Sequence, residues 1–523
     1  MKPIPVSTCN FPEIRQANRL YVDKTSYLYK LITDPSCDMF FMSRPRRFGK
    51  SLMISTLKAI FQGRRELFEG LDISGTDYDW KAHPVIHLDM SNCSRGNFEQ
   101  FCLSLSNLIQ NAMAEHNIAY NPARDYADNF GLLISSLAAR GIRPVILIDE
   151  YDDPVAQLIS CPEDAEKIRQ TLAPLYRKLK IHDGKIRFVM ITGVSKFTKL
   201  SIFSALSNLQ DISLSDDYAS MLGFTEAELD AYYSDYMAAQ AAQMNLPTAD
   251  YRAELRRMYN GYRFWRYRGE NVYNPVSINL NLTQNQPAFS CYWTETGRPS
   301  ILMNTLRRSD VLAIDPECVR GTTHRDFDVI DLNDISVKGL LFQTGYLTIT
   351  DYNKYTKMFT LAIPNDEVRQ DFSLIMASLC AKNSVTWASE LGGKLLLRDW
   401  EAFFTGLKSL YAGVAYGPKE AHVCEHSYGR CLQFLLQGSG ICCSPEVTQA
   451  DGRTDMVCTH PCAIYIFELK VDRPAAIAMN QMERRQYAAP YAADGRPIWL
   501  VGLSFRSDTR QLADCACEPF QRQ

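Results

Sequence analysis

The chain has 523 residues, 46% of them hydrophobic and 22% charged, a composition that excludes extensive disorder, and its length predicts about two to four domains. The formal net charge of −3 excludes a strong overall attraction to nucleic acid, so any such site would need a local basic surface. No apolar stretch reaches the roughly 18 residues of a membrane span, and residues 1–6 lack the apolar core of a secretory signal, so we expect a cytoplasmic protein with no membrane partner.

Residues 1–215 alternate apolar segments of strand length with amphipathic segments of helix length. Strands are predicted at 38–42, 84–89, 144–149 and 186–192, and the helices between them include 50–61 and 98–116. Strands separated by helices predict a parallel sheet that is covered on both faces. We therefore expect an α/β domain over 1–215.

Residues 40–51 combine an apolar strand with a loop typical of phosphate binding. Gly49, Lys50 and Ser51 supply a helix N-terminus, a lysine for the outer phosphates and a hydroxyl for Mg²⁺. The first glycine of the usual G-x-x-x-x-G-K-S pattern is missing, and Arg44 stands in its place. The alternative interpretation is a basic surface turn before a helix.

A second motif supports the nucleotide site. The strand at 144–149 ends in Asp149 and Glu150. In phosphate-loop enzymes the first acid holds Mg²⁺ through water and the second orients the attacking water. The alternative is a core strand whose end happens to be acidic. Ser195, just after the strand at 186–192, is a candidate contact for the γ-phosphate, with a simple strand exit as the alternative.

Residues 216–375 lack the strand and helix alternation of residues 1–215. Their sequence predicts a helical lid with a small accessory module. Thr225 and Glu228 have the spacing of a capping box at a helix start. Residues 339–350 predict a β-rich stretch. Arg263 is a candidate lid arginine on the nucleotide, by its charge alone, with an ordinary surface arginine as the alternative. Residues 376–417 predict a helical connector.

Residues 418–523 predict a last, small α/β domain. We expect helices at 421–437 and 475–488 and strands at 441–447, 455–459, 463–469 and 497–503. Asp455 starts one strand, and Glu468 and Lys470 end the next. Alternation along that strand places Glu468 and Lys470 on one face.

A carboxylate pair and a lysine in this order are typical of a metal-dependent nuclease core. Asp455 and Glu468 are the expected Mg²⁺ ligands, helped by the Leu469 carbonyl, since Mg²⁺ prefers hard oxygen ligands. Lys470 is expected to orient or deprotonate water or to stabilise developing charge. Two alternatives stay open: an ion pair between Glu468 and Lys470 on an edge strand, and a nuclease fold without catalysis.

Five segments of the chain carry a family resemblance. They are residues 21–25 (YVDKT), 44–51 (RPRRFGKS), 148–152 (IDEYD), 260–264 (NGYRF) and 273–275 (YNP). Together they resemble the bacterial AAA-ATPase-like family, whose members usually carry a C-terminal PD-(D/E)XK nuclease-like domain. The resemblance covers the whole chain. It implies a P-loop NTPase parallel sheet with a helical lid, followed by a small α/β nuclease-like domain at 418–523.

The resemblance also assigns roles at the nucleotide site. In this family Arg-Pro-Arg-Arg-Phe-Gly-Lys-Ser/Thr is the phosphate loop, so Arg44 is the family's own variation. The implied nucleotide contacts are Arg46, Arg47, Phe48, Gly49, Lys50, Ser51, Leu52 and Asp149, with Ser51 and Asp149 on Mg²⁺ and Glu150 catalytic. One departure concerns the nuclease part: related domains often carry a helical acid where this chain has His422.

These patterns predict an enzyme whose ATP binding and hydrolysis control a Mg²⁺-dependent nuclease. The alternative is a nucleotide-switched binding or signalling ATPase with an inactive nuclease-like domain. ATP is preferred over GTP because no N-K-x-D motif lies in a suitable place. The expected partner is DNA, with RNA as the alternative. The sequence leaves open whether the chain works as a monomer or as a homo-oligomer.

Overall fold

A computed structural model gives the fold of the chain. It describes residues 1–93, 96–157, 161–196, 206, 208–293, 302–303, 305–306, 315–328, 336–381, 383–413, 425–449 and 452–521. The described residues form two compact units. The first unit takes those of 1–308 and 316–365, and the second takes those of 309–315 and 366–523.

The first unit is built on a five-stranded parallel sheet. Its strands are β1 (Met39–Ser43), β2 (Val85–Asp89), β3 (Val145–Asp149), β4 (Phe188–Gly193) and β5 (Gln210–Asp211), in the order β2-β3-β4-β1-β5. β1, β3 and β4 are buried along their whole length, as their continuous apolar sequences require of a sheet covered on both faces. The four predicted strands are therefore present, within two residues at each end.

Among the described residues, two helices precede β1 and five lie in the connections between the strands of this sheet. They are α1 (Phe11–Gln16), α2 (Thr25–Ile32), α3 (Lys50–Phe61), α4 (Phe98–Glu115), α5 (Tyr126–Ala139), α6 (Asp153–Gln157) and α7 (Pro162–Ile181). α3 buries Met53, Ile54 and Leu57. The strand–helix alternation confirms the predicted α/β fold class for this part of the chain.

The rest of the first unit is an accessory region. Its helices are α8 (Glu226–Gln243), α9 (Thr248–Tyr259), α10 (Pro275–Leu282), α11 (His324–Phe327) and α12 (Val337–Gln343), and its small antiparallel sheet has β6 (Val319–Thr322), β7 (Thr348–Asn353) and β8 (Met358–Ala362). The β-rich prediction for 339–350 is wrong over its first half, where α12 lies. An apolar run as short as Leu340–Phe342 fits a helix or a strand equally well, and the Ser336 side chain caps the helix.

Two of the family segments serve this accessory region. The Glu226 carboxylate accepts hydrogen bonds from the Tyr273 hydroxyl (2.7 Å) and from Asn260 Nδ2 (3.1 Å). Arg252 and Arg256 also pair with it, and these partners outweigh burial and lower the pKa of Glu226 to about 2. The NGY and YNP segments therefore tie α8, α9 and α10 together.

The second unit combines helices with a mixed five-stranded sheet. Its helices are α13 (Asp366–Ala381), α14 (Val385–Leu396), α15 (Trp400–Gly413) and α16 (Glu425–Gly438), and a later helix is α17 (Ala475–Arg484). The strands are β9 (Cys442–Gln449), β10 (Gly452–His460), β11 (Ala463–Val471), β12 (Ile498–Phe505) and β13 (Leu512–Pro519), in the order β13-β12-β11-β10-β9. Only β11 and β12 pair in parallel.

Helices cover both faces of this second sheet. On one face Tyr465 meets the ring of Trp400 and donates to the Leu395 carbonyl. On the other face its neighbours Ile464 and Ile466 pack with Met479 and Met482 of α17. The small α/β architecture predicted for 418–523 is confirmed. The sequence did not predict β13, because Asp514 and Glu518 interrupt its small Ala and Cys residues and Leu512 is its one buried residue.

The predicted domain boundaries at 215, 375 and 417 stay predictions. Along the chain, a boundary between the two compact units falls between residues 365 and 366. Among the described residues, no helix combines the length and the apolarity needed to cross a bilayer.

The capping box gives a stability prediction. Thr225 Oγ1 accepts from Glu228 N (3.2 Å) and Glu228 Oε2 accepts from Thr225 N (2.8 Å). Thr225→Ala should lower the free energy of unfolding by about 1 kcal/mol, because it leaves a helix N–H without its partner. Urea denaturation checks this. Thr248→Ala is the matched control, because α9 has no side-chain cap bond; an equal loss in both variants would contradict the assignment.

Candidate functional site

The topology of the first sheet gathers the loops that the sequence singles out. β4 lies between β1 and β3, and all three strands run in the same direction. Their carboxyl ends therefore lie at one edge, where open α/β sheets bind ligands. The loop 44–49, residues 150–152 and residues 194–196 all begin at this edge.

The loop after β1 leaves an open helix N-terminus. Gly49 stands at the N-cap of α3 with φ 94° and makes no side-chain cap bond. No atom lies within 4 Å of the place that a Cβ on Gly49 would take. The uncapped N–H groups of α3 and the free space above Gly49 fit a phosphate group.

Lys50 is buried at the base of this loop. Its side chain is 3% exposed, and Nζ donates to the carbonyls of Arg44 and Pro45 at 3.2 Å each. The same ammonium lies 3.6 Å from Glu150 Oε1. These carbonyls and the carboxylate compensate the buried charge, and a phosphate could take the place of the carboxylate.

The acidic pair, Asp149 and Glu150, is the second part of this site. Asp149 is buried, and its Oδ1 accepts from Thr192 Oγ1 and from Glu150 N (3.0 Å). Glu150 takes a left-handed backbone conformation with φ 50°, uncommon for a residue with a side chain. Burial raises the pKa of Glu150 and its acidic neighbours add to the rise, while Lys50 opposes it.

A cleft of about 1160 Å³ joins these groups. Arg46, Arg47, Ser51, Asp149 and Glu150 all line it. It is large enough for a nucleotide-sized ligand, since ligand pockets usually measure about 300–1000 Å³. It also takes in the N-terminal residues 7–10 and three residues of the β2 end, His87, Asp89 and Ser91. The sequence carried no motif that would have placed these last two groups here.

Six of the predicted nucleotide contacts are not among the residues that line the cleft: Gly49 and Lys50 of the loop itself, and Phe48, Leu52, Ser195 and Arg263. Phe48 packs against Tyr262 and Phe264, Leu52 lies half-buried on α3, and Ser195 is buried beneath the loops. The Arg263 guanidinium donates to the carbonyls of Thr350, Arg266 and Trp265 and stacks on the Trp265 ring. These contacts hold the Arg263 guanidinium on carbonyls of the accessory region.

Asp152 is a residue of the acidic segment to which the sequence assigned no role. Its carboxylate accepts from Ser195 N (2.7 Å), Ser195 Oγ (2.6 Å) and Val194 N (3.1 Å). Burial raises its pKa, against these hydrogen bonds. Asp152 therefore joins the loop after β3 to the loop after β4. Its place inside the dense 149–153 acid run was the available signal.

The predicted nuclease residues converge in the second unit. Lys470 Nζ donates to Glu468 Oε1 (2.7 Å) and to the Leu469 carbonyl (3.0 Å). Asp455 Oδ2 accepts from Leu469 N at 2.7 Å. The antiparallel register of β10 and β11, which pairs Met456 with Phe467, brings Asp455 beside Glu468. Asp455, Glu468 and Lys470 thus share one end of the hairpin.

Glu468 carries a buried oxygen without a partner. Its side chain is 2% exposed, and Oε2 has no hydrogen bond. Burial and the neighbouring Asp455 carboxylate raise the pKa of Glu468 to about 7, although Lys470 opposes the rise. A divalent cation would relieve this repulsion, with the Leu469 carbonyl as a further oxygen, so the residues present fit Mg²⁺.

Two residues of the following helix region hold this site. Gln481 Nε2 donates to Glu468 Oε1 and to the Tyr487 hydroxyl (3.2 Å), and that hydroxyl donates to the Arg453 carbonyl (2.9 Å). The chain of bonds fixes the Glu468 carboxylate from the α17 side. The sequence did not predict these contacts.

The acid that related domains carry on their first helix cannot be placed. Residues 421–424 and the side chains of Glu425 and His426 lie outside the described residues. Within the described part of the chain, no group of three or more His, Cys, Asp or Glu side chains is arranged to hold a metal ion. A cation at either site would therefore complete its shell with hydroxyl, carbonyl, phosphate or water oxygens.

Comparisons with known proteins agree with the two sites. A family model described as a predicted AAA-ATPase matches residues 5–203, and a model of the PD-(D/E)XK nuclease superfamily matches residues 424–514. The first range contains the phosphate loop and the acidic pair, and the second contains Asp455, Glu468 and Lys470. The fold and sites thus define an ATPase-like domain joined to a nuclease-like domain.

A full-length relative shows the family. The chain is 34% identical over 535 residues to an uncharacterized protein in the vnfD 5′ region of Azotobacter chroococcum mcd 1, and the match covers 99% of both chains. The chain belongs to the AAA-ATPase-like family with a C-terminal PD-(D/E)XK nuclease-like domain, as its sequence predicts.

Two solved structures are distantly similar. The Aeropyrum pernix ORC2 protein, determined as ADPNP and ADP complexes, has a TM-score of 0.27 and 13% identity, over 65% of this chain and 87% of that one. Cdc6p from Pyrobaculum aerophilum has a TM-score of 0.22 and 13% identity, over 72% of this chain and 96% of that one. Likenesses at this level carry no conclusion about ligands or partners.

Glu468 makes the stability of β11 depend on pH. Its pKa rises from 4.5 to about 7 on folding, so the folded state binds more protons between these values. The local free energy of opening should therefore fall by about 3 kcal/mol as the pH rises through this window without metal. Hydrogen exchange of the β11 amides, corrected for its intrinsic pH dependence, measures this.

Glu468→Gln should remove this pH dependence, because an amide does not titrate in this window. Glu446→Gln is the control, since Glu446 is 47% exposed and pairs with Arg453. A parent protein whose β11 protection is flat across the window would disprove the raised pKa.

Proposed function

We propose that the protein binds and hydrolyses ATP and that its nucleotide state controls a Mg²⁺-dependent hydrolase of nucleic-acid phosphodiesters. The observation that carries the hydrolase part is the buried Glu468 oxygen without a partner, beside Asp455 and Lys470. The ATPase-like and nuclease-like domains of the family support both activities. The control of one by the other is the finer part of the proposal.

At the nucleotide site each residue has a proposed task. Gly49 leaves room for the phosphates, Lys50 turns from Glu150 to the outer phosphates, and Arg46 and Arg47 add positive charge along the cleft. Ser51 and Asp149 would hold Mg²⁺. Glu150, released from Lys50, orients the attacking water. Its raised pKa suits a residue that accepts a proton.

At the second site the proposed tasks follow the same chemistry. Asp455, Glu468 and the Leu469 carbonyl would hold Mg²⁺, which when bound stabilises the charge that develops on the phosphate. Lys470 lies within hydrogen-bond distance of Glu468 Oε1. It would orient the attacking water and place a positive charge next to the scissile phosphate. Gln481 keeps the Glu468 carboxylate in position.

A second candidate function keeps the ATPase and removes the cleavage. The Lys470 ammonium already bonds Glu468 Oε1 and the Leu469 carbonyl, so its positive charge lies beside the oxygens that would hold the cation. This supports a nuclease-like domain that binds nucleic acid without cutting it, in a nucleotide-switched signalling ATPase. DNA is the proposed partner, with RNA as the alternative. Cytoplasmic location and self-association are likewise proposals.

Substitutions at the phosphate loop test the ATPase. Lys50→Ala should abolish ATP binding in calorimetry, because the outer phosphates lose their cation. Glu150→Gln should keep binding and slow phosphate release by about a hundredfold or more, because the water loses its base. Lys180→Ala, an exposed lysine of α7, is the control. Normal hydrolysis by the Glu150→Gln protein would show that another group orients the water.

Substitutions in the second unit separate the two candidate functions. Asp455→Asn and Lys470→Ala should each abolish Mg²⁺-dependent cleavage of plasmid, linear or single-stranded substrates and leave ATP turnover unchanged. Glu446→Gln should cleave like the parent. If the parent protein binds these substrates but cuts none of them, with or without ATP, the inactive nuclease-like domain is the correct function. Cleavage that survives both substitutions would come from a different site.

A further inference from the structure

The position where phosphate loops usually carry their first glycine holds a buried arginine. Arg44 is 1% exposed. The left-handed backbone conformations of the loop fall on Arg47 (φ 68°) and Gly49 (φ 94°), not on Arg44. The backbone therefore does not require glycine at 44, and the role of this position lies in its side chain.

The Arg44 side chain reaches away from the cleft into the accessory side of the unit. Its guanidinium donates to the carbonyls of Ser213 and Tyr218 and lies 4.2 Å from the centre of the Phe264 ring. A cation and the aromatic face beneath it attract each other most strongly where water is excluded. The Arg44 side chain thus contacts two segments that are distant from the loop in sequence.

These two segments, residues 213–218 and 262–266, form what we call the platform. Asp216 joins its halves, because Asp216 Oδ1 accepts from Arg266 N at 2.8 Å. Phe48 rests on the same platform, with its ring centre 4.8 Å from that of Tyr262 and 5.3 Å from that of Phe264. Arg44 and Phe48 therefore fasten both ends of the loop.

The fastening reaches the lysine of the nucleotide site through the backbone. The Arg44 carbonyl is one of the two that hold Lys50 Nζ, at 3.2 Å. An Arg44 residue released from the platform would move this carbonyl and with it the lysine.

We propose that Arg44 and Phe48 are positioning residues that keep the phosphate loop in its nucleotide-binding shape by fastening it to the platform. Nucleotide binding and platform order are then coupled, and the coupling is reciprocal. This inference rests on the proposed ATP binding. It makes the accessory region a working part of the nucleotide site.

The test replaces the arginine with the residue that other phosphate loops have. Arg44→Gly should raise the Kd for ATP roughly tenfold or more, because it removes hydrogen bonds from a charged donor. Arg44→Lys keeps the charge but loses the planar guanidinium, so its Kd for ATP should lie between those of Arg44→Gly and the parent. Phe264→Leu should also raise the Kd for ATP. Phe264→Tyr keeps the aromatic ring and should bind ATP like the parent.

Lys24→Ala is the matched control for a general loss of stability. Lys24 is a cation of the same unit whose side chain is 13% exposed, and it donates to the Ser220 carbonyl (2.7 Å) and pairs with Glu228 (2.6 Å). Its loss should leave the Kd for ATP unchanged. An Arg44→Gly protein that binds ATP like the parent, or a Lys24→Ala protein that loses as much affinity, would overturn the proposal.

A second readout does not depend on ATP. Hydrogen exchange of the amides of residues 46–51 should become faster in Arg44→Gly and Phe264→Leu and stay unchanged in Lys24→Ala. If the parent protein binds no ATP, the proposed function fails, and this comparison alone decides whether the platform holds the loop. Equal exchange in all four proteins would refute the fastening itself.

Discussion

Each candidate site is organised around a buried lysine whose charge must be compensated. Lys50 is held by two loop carbonyls and Glu150, and Lys470 by one carbonyl and Glu468. An ammonium taken out of water without such partners is strongly destabilising. This requirement fixes where the carboxylates lie. It also leaves each lysine with partners that an incoming phosphate can replace at little cost in charge.

The parts of the sites that follow from local rules were predictable. Parallel strands end at one edge of a sheet, so Asp149 and Glu150 had to lie near the loop that follows β1. A helix that starts directly after Gly49 leaves its N–H groups open. The separation of 13 positions from Asp455 to Glu468 suits a hairpin, and the observed register of β10 and β11 brings the two carboxylates together. In each case neighbours in sequence determine the geometry.

The parts that depend on distant contacts were not predictable. The contacts of Arg44 were not predictable, since its acceptors at 213 and 218 lie 169 and 174 residues further along the chain. The N-terminal residues 7–10 carry no motif that would place them in the cleft. Arg263 has a charge that suits a nucleotide, yet three nearby carbonyls take its donors. The residue types alone do not show which of several possible partners a side chain contacts.

The buried arginine also bears on how this loop could have evolved. A glycine at position 44 would leave a guanidinium-sized void above the Phe264 ring, and an arginine without that ring would be a buried cation with fewer partners. Each change by itself should loosen the loop. The octapeptide from 44 to 51 should consequently not be transferable to another ATPase without the aromatic residues beneath it.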